Sequence, residues 1–173
     1  MQPRGVVRFD TSEVTMNILF LCTHNSCRSI LAEALTRHLA SQSGHATPVA
    51  VASAGSSPRG FIHPLTLQYL SKWSIATDDL ESKSWDELTE FHPDVVITVC
   101  DQAAGESCPV WFGRAVKGHW GLPDPTREGL TPAQVDTEFQ LLLAVLTKRC
   151  EALLRLQQLD QAAIASIAHA YPL

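Results

Sequence analysis

The chain is 173 residues long and 45% apolar, and its 18 acidic against 13 basic side chains leave a formal net charge of -5. That length and apolar share predict one globular domain that buries a core without disulfide or metal staples. The acidic balance excludes a general nucleic-acid binder, which needs a basic stripe, but leaves room for one focused cationic site that takes a small anion.

Residues 1–15 lack the continuous apolar core of a secretory signal. No apolar run approaches the roughly 20 residues that span a bilayer. The expectation is a cytoplasmic protein, and thiols in that compartment stay reduced. The five cysteines, Cys22, Cys27, Cys100, Cys108 and Cys150, therefore call for a role other than a permanent disulfide framework.

In chain order, the short apolar run 17–22 reads as a buried strand. Residues 23–29 form a polar loop, and 30–40 carry Leu31, Ala34, Leu35 and Leu39 as a helical stripe. Residues 48–55 read as a second strand stopped by Gly55, and 64–73 as a helix. A capping-box pattern, Ser84 with Glu87, predicts a short helix at 84. The β-branched run 94–100 is the strongest strand signal, and a loop with Gly105, Pro109 and Gly113 follows it before a short strand at 115–120. Thr131 and Gln134 form a second capping box with Pro132 at the first helical position. The helix they open puts Val135, Phe139, Leu142, Leu146, Cys150 and Leu153 on one face. The alanine-rich segment from about 158 either prolongs that helix or frays. Strands alternating with helices imply an α/β fold, a parallel sheet covered on both faces in three layers.

The informative segment is Cys22-Thr-His-Asn-Ser-Cys-Arg28-Ser29, at the carboxyl end of the first strand and the start of the first helix. Ligands bind at such junctions in open α/β sheets. Backbone N–H groups of Thr23, His24, Asn25, Ser26 and Cys27, beside a helix N-terminus, make an anion-binding nest. Arg28 adds a planar fork suited to a tetrahedral oxyanion. The same field favours the thiolate form of Cys22, and Ser29 can donate a hydrogen bond to it. A strand-end cysteine alone reads as an inert core residue, and a helix-start arginine alone as a solvated one. Together at Cys-x5-Arg-Ser spacing they point to a nucleophile in an anion cradle.

The run 18–29 resembles the phosphate-binding loop of low-molecular-weight protein tyrosine phosphatases and their arsenate reductase relatives. The segments 53–55, 96–100 and Gly121-Leu-Pro-Asp124-Pro125 are similar to other motifs of that family. The likeness covers roughly residues 16–155, with 1–15 as an N-terminal extension and 159–173 as a C-terminal tail around a 16–158 domain. It implies a four-stranded parallel sheet of flavodoxin-like topology, with Asp124 as general acid. His24 stands where the phosphatases usually carry glycine. Thr126 follows Asp124-Pro125 where phosphatases of eukaryotic type tend to carry aromatics that engage a phosphotyrosine ring. Both departures turn the expectation toward the reductases.

Reducing pentavalent arsenic needs two electrons, which a pair of thiols closing to a disulfide supplies. Cys100 and Cys108 resemble the paired resolving cysteines of thioredoxin-coupled arsenate reductases, with one more intervening residue than expected there. The implied sequence is attack of Cys22 on arsenate, then a Cys22–Cys100 disulfide, then transfer to Cys100–Cys108. Thioredoxin, or a glutaredoxin with a low-molecular-weight thiol, would regenerate the protein. No tightly bound cofactor or metal is expected, and the state is a monomer or weak dimer. Phosphate and sulfate are the competing anions. Cys27 and Cys150 read as a loop filler and a helix core position, and His24, His63 and His119 as loop or surface residues, with His24 able to touch the anion. The alternative is a phosphatase of the same fold that hydrolyses phosphate monoesters. A zinc site on Cys22, Cys27, Cys100 and Cys108 has unsuitable ligand spacing, and a non-catalytic oxyanion sensor would leave Asp124 without a task.

Overall fold

The apolar run after residue 15 becomes a strand that the other strands flank. The structure is a computed structural model that describes residues 7–8, 15–42, 48–106, 109 and 112–173. Short strand β1 is Val7–Arg8, and β2 is Met16–Leu21. Helix α1 spans Arg28–Gln42, β3 Val49–Ala54 and α2 Pro64–Lys72. After a 3-10 turn at Trp85–Leu88 come β4, Val95–Thr98, and the one-turn helix α3, Asp101–Ala104. Strand β5 is Val116–His119, α4 is Pro132–Arg155, β6 is Gln158–Leu159 and α5 is Gln161–Ala170.

The main sheet has the order β3-β2-β4-β5 and is parallel throughout. This is the predicted four-stranded α/β architecture. Its register pairs Leu21 with both Ala54 and Thr98. The chain therefore leaves β2, β3 and β4 at one carboxyl edge, which brings the segments after residues 21, 54 and 98 together. A separate antiparallel pair joins β1 to β6.

Period-two alternation splits β2 between the two faces. Ile18 and Phe20 join the larger core with residues of α1, α2, α4 and α5. Leu19 and Leu21 join a smaller cluster with Ala52, Val96 and Phe112, flanked by Trp85, Leu88 and Phe91. Both faces are covered, but unequally: long helices protect one, and a 3-10 turn with aromatic side chains protects the other. Helix α4 follows its predicted stripe, with Phe139, Leu142, Leu146, Cys150 and Leu153 buried. Tyr69 of α2 stacks on Phe139 at 4.3 Å between ring centres.

Two segments take a form that pattern alone left open. The 3-10 turn keeps the predicted capping box of Ser84 and Glu87 but goes no further than four residues. The segment from 158 neither prolongs α4 nor frays: α5 starts at the N-cap Asp160, whose carboxylate accepts the Ala163 N–H at 2.7 Å. Ile164 and Ile167 of α5 are buried, and Trp120 Nε1 donates to the Ile164 carbonyl at 3.1 Å. A β-carbon at Gly118 would lie 2.4 Å from Ile164 Cγ2, so α5 rests directly on the backbone of β5. Among the described residues, no helix is long and apolar enough to cross a membrane.

Candidate active site

The loop after β2 is shaped by what its carbonyls bond. Thr23 O accepts from Ser57 N–H at 2.9 Å and His24 O from Arg59 N–H at 3.1 Å. Ser26 O accepts from His63 N–H at 3.0 Å and from Thr66 Oγ1 at 3.1 Å. In a planar trans peptide the N–H points opposite to the carbonyl. With these carbonyls spent on the outer loops, the N–H groups of His24, Asn25 and Cys27 turn inward, the arrangement that cradles anions. The end of β3 packs against the same loop, where a β-carbon at Gly55 would sit 2.4 Å from Thr23 O and 2.9 Å from Cys22 O. Only glycine allows that approach.

Behind the loop lies a buried polar chain whose hydrogen directions can be read link by link. Ser53 Oγ donates to the Glu33 carboxylate at 2.8 Å, which only accepts. Ser53 therefore accepts from Asn25 Nδ2 at 2.9 Å, and Ser29 Oγ accepts from the same amide at 2.8 Å. The Ser29 hydroxyl lies 2.8 Å from Cys22 Sγ, with its own hydrogen free to donate to a thiolate there. Asn25 Oδ1 takes the Lys83 N–H at 2.9 Å, which fixes the amide's orientation. Glu33, 1% exposed, is balanced by Arg37 at 3.0 Å and Lys83 at 3.9 Å. The turn that allows all this is a left-handed backbone at Asn25, φ 44°. Asparagine tolerates that region better than most residues. The left-handed position thus falls on Asn25 rather than on His24.

The cleft in front of the loop is lined by Cys22, His24, Ser26, Cys27, Arg28, Arg59, Asp124 and Thr126, and encloses about 280 Å³ counting its open mouth. Arg28 donates to Leu122 O at 3.1 Å and lies 4.0 Å from Asp124. Burial works against the charge on Asp124, but it is outweighed. Hydrogen bonds from Thr126 N–H at 2.9 Å and Thr126 Oγ1 at 2.6 Å, with Arg28 and Arg59 nearby, hold the carboxyl below its ordinary range. Cys27 behaves differently: burial pushes its thiol up to about 12, against a Thr66 hydrogen bond. It stays protonated. Cys150, in the helical core against Thr36, is pushed to about 12 by the same cause.

The sheet register carries Cys100 to the cleft's flank. Val99 N–H bonds Leu21 O at 2.8 Å, so the chains bearing Cys22 and Cys100 leave adjacent strands side by side. Cys100 is the N-cap of α3, with Ala103 N–H 3.4 Å from its sulfur. Thr23 Oγ1, next in the chain to Cys22, lies 3.7 Å from the same sulfur and donates to Glu106 at 3.1 Å. The structure thus gathers Cys22, Thr23, His24, Asn25, Ser26, Cys27, Arg28, Ser29 and Asp124 around one cleft, with Cys100 at its border. Cys108 lies outside the described residues. Arg59, Glu33 and Lys83 escaped sequence reading: each comes from a segment with no motif of its own, and only folding brings it to the loop. Among the described residues, no group of three or more His, Cys, Asp or Glu is arranged to hold a metal.

Comparison with known proteins agrees with this geometry. The arsenate reductase of Staphylococcus xylosus is 32% identical over 108 residues, 62% of this chain and 77% of the relative. That of Shouchella clausii is 33% identical over 110 residues, 64% and 74% of the two chains. A solved arsenate reductase in its phosphate-binding state superposes with a TM-score of 0.63 at 25% identity, over 80% of this chain and 96% of that one. The thioredoxin-dependent arsenate reductase of Corynebacterium glutamicum gives a TM-score of 0.59 at 32% identity, over 82% of this chain and 61% of that one. Residues 17–164 match the family model described as low molecular weight phosphotyrosine protein phosphatase. With that match covering most of the chain, the protein belongs to the low molecular weight phosphotyrosine protein phosphatase family.

Proposed function

We propose that this protein reduces arsenate to arsenite, with Cys22 as nucleophile and Cys100 as the thiol that closes the first disulfide. The observation that carries the reading is the placement of Cys100. It stands beside the Cys22 loop, its sulfur 3.7 Å from Thr23 Oγ1, on the flank of the cleft that Cys22, Arg28 and Asp124 line. Hydrolysis of a phosphate ester has no use for a second thiol; a two-electron reduction requires one. The relatives named above as arsenate reductases support the same choice.

Arsenate binds the loop of Thr23, His24, Asn25, Ser26 and Cys27 through its inward N–H groups, those of His24, Asn25 and Cys27 among them, and Arg28 turns from Leu122 O to its oxygens. The Cys22 sulfur attacks arsenic, and an oxygen leaves as water after Asp124 protonates it. The Thr126 hydrogen bonds and the charges of Arg28 and Arg59 hold Asp124 ionised. The arriving anion draws Arg28 away and adds negative charge, and both effects raise the carboxyl's proton affinity. The Cys100 sulfur then attacks the Cys22 sulfur. The S–As electron pair remains on arsenic, which leaves as arsenite, and a Cys22–Cys100 disulfide forms. Cys108 next attacks Cys100, which carries the disulfide toward an external reductant. Thioredoxin is the reductant we favour over a glutaredoxin system, on the likeness to the thioredoxin-dependent Corynebacterium enzyme. That cycle suits a cytoplasmic protein, where such reductants work.

The test is arsenate-dependent NADPH oxidation by purified protein with thioredoxin or glutaredoxin systems, alongside Cys22→Ser and Cys100→Ser. Turnover in the wild type that both substitutions abolish is the expected outcome. If neither system supports turnover while Cys22 still hydrolyses an aryl phosphate, the reductase reading fails and the protein is a phosphatase.

A further inference from the structure

Cys100 sits at a corner that its own helix is too short to hold. Helix α3 is a single turn, and a single turn is marginal by itself because nucleation costs more than one bond returns. Among the described residues the sulfur has two modest hydrogen-bond partners, Ala103 N–H at 3.4 Å and Thr23 Oγ1 at 3.7 Å, and Cys100 and Ala103 both pack in the larger core. Cys100 is buried. Core packing and backbone bonds from Leu21, Trp120 and Leu122 fix the strand end at residues 98–99, but the turn that carries Asp101 needs a side-chain tie of its own.

The neighbouring strand supplies it. His119, the last residue of β5, places Nε2 2.9 Å from Asp101 Oδ1. Its Nδ1 lies 2.8 Å from Thr98 Oγ1 and 3.1 Å from Thr98 O. A carboxylate only accepts, so Nε2 carries a hydrogen toward Asp101. Thr98 precedes Cys100 by two residues and Asp101 follows it by one, so a single imidazole ring spans the corner from both sides. The chain then runs close past this clasp. A β-carbon at Gly121 would come within 3.3 Å of both Asp101 Oδ1 and His119 Nε2.

We propose that His119 is a positioning residue for the resolving thiol, clasping Thr98 to Asp101 so that Cys100 stays seated beside Thr23, facing the Cys22 loop. The use of that seating rests on the reductase reading; the clasp itself does not. A loose corner would let the one-turn helix open and the thiol wander, and misplacement of a reacting group slows its reaction steeply.

The experiment labels reduced protein with iodoacetamide in the absence of arsenate and follows each cysteine by peptide mass spectrometry. In His119→Ala, Cys100 should be alkylated about tenfold faster through local opening. Cys150, buried in α4, should keep its wild-type rate and so report an intact fold. His119→Gln, whose amide can donate to Asp101 and accept from Thr98, should restore most of the protection. On mixing with arsenate and quenching, Cys22–Cys100 closure in His119→Ala should slow about tenfold. Unchanged Cys100 labelling in His119→Ala overturns the proposal, as does parallel acceleration at Cys150 or failure of His119→Gln to restore protection. If the labelling pattern holds but wild-type protein forms no Cys22–Cys100 disulfide with arsenate, the clasp stands and the reductase reading falls.

Discussion

At the residue scale, the site works by assigning each polar atom one direction. Asn25 gives both amide hydrogens to serines and receives one from Lys83, which leaves the Ser29 hydroxyl hydrogen free to donate to Cys22 once that sulfur is a thiolate. A fully satisfied buried network of this kind rigidifies its members. Asp124 carries the site's pH signature. Its carboxyl is held below the ordinary range in the folded protein, while the unfolded chain titrates near about 3.9. A group whose folded pKa is depressed contributes stability above its unfolded pKa, and that contribution fades as pH falls through the folded value. Asp124→Asn should therefore be less stable than wild type at pH 7, with the gap shrinking below about pH 4. Urea melts across pH 3 to 7 measure this; a gap that stays constant across the range would refute it.

At the element scale, caps and glycines decide where elements begin and how closely they approach. Helix α4 opens with a complete capping box: Thr131 Oγ1 accepts the Gln134 N–H at 3.2 Å, and Gln134 Oε1 accepts the Thr131 N–H at 2.9 Å. Pro132 at the first position needs no partner for a missing N–H. Thr131→Ala removes one side of the box and should cost about 1 kcal/mol, a fall in Tm of about 2–4 °C by calorimetry. Gly55 acts differently, through its missing side chain, by letting the end of β3 touch the 22–29 loop. Tethered to the 3-10 segment through its N–H to Lys83 O and its carbonyl from Trp85, it also locks the shell that supports Asn25.

At the scale of the whole molecule, the parallel register brings three strand ends to one edge, and α5 covers the edge strand β5 on the same face as α1 and α4. Ile164 is wholly buried against Gly118 and lends its carbonyl to Trp120, itself wholly buried. Trp120 leads directly into the Gly121–Asp124 segment, so α5 and that segment share a wall. Ile164→Ala leaves a void there and should cost about 2–5 kcal/mol in chemical denaturation. A loss well under 1 kcal/mol would mean that α5 is not part of the cooperative core.

Local patterns determined a good deal unaided. The strands at 17–22, 48–55 and 94–100 and the long helix from 132 were legible because period and capping are properties of neighbouring residues. The Cys22–Ser29 loop was legible because its groups are consecutive. Tertiary structure alone placed Glu33, Arg59 and Lys83 around that loop, since each belongs to a different element and carries no local signature. Residues 101–104 read as loop but form a helical turn, held from outside by His119, a residue eighteen positions away that sequence assigned to the surface. The segment from 158 became a docked helix because β5 offers Gly118 as a flat seat, which no pattern within 158–173 records. Sequence decides what each segment prefers; which segments meet depends on register and close packing between distant parts of the chain, and there this protein's site is completed.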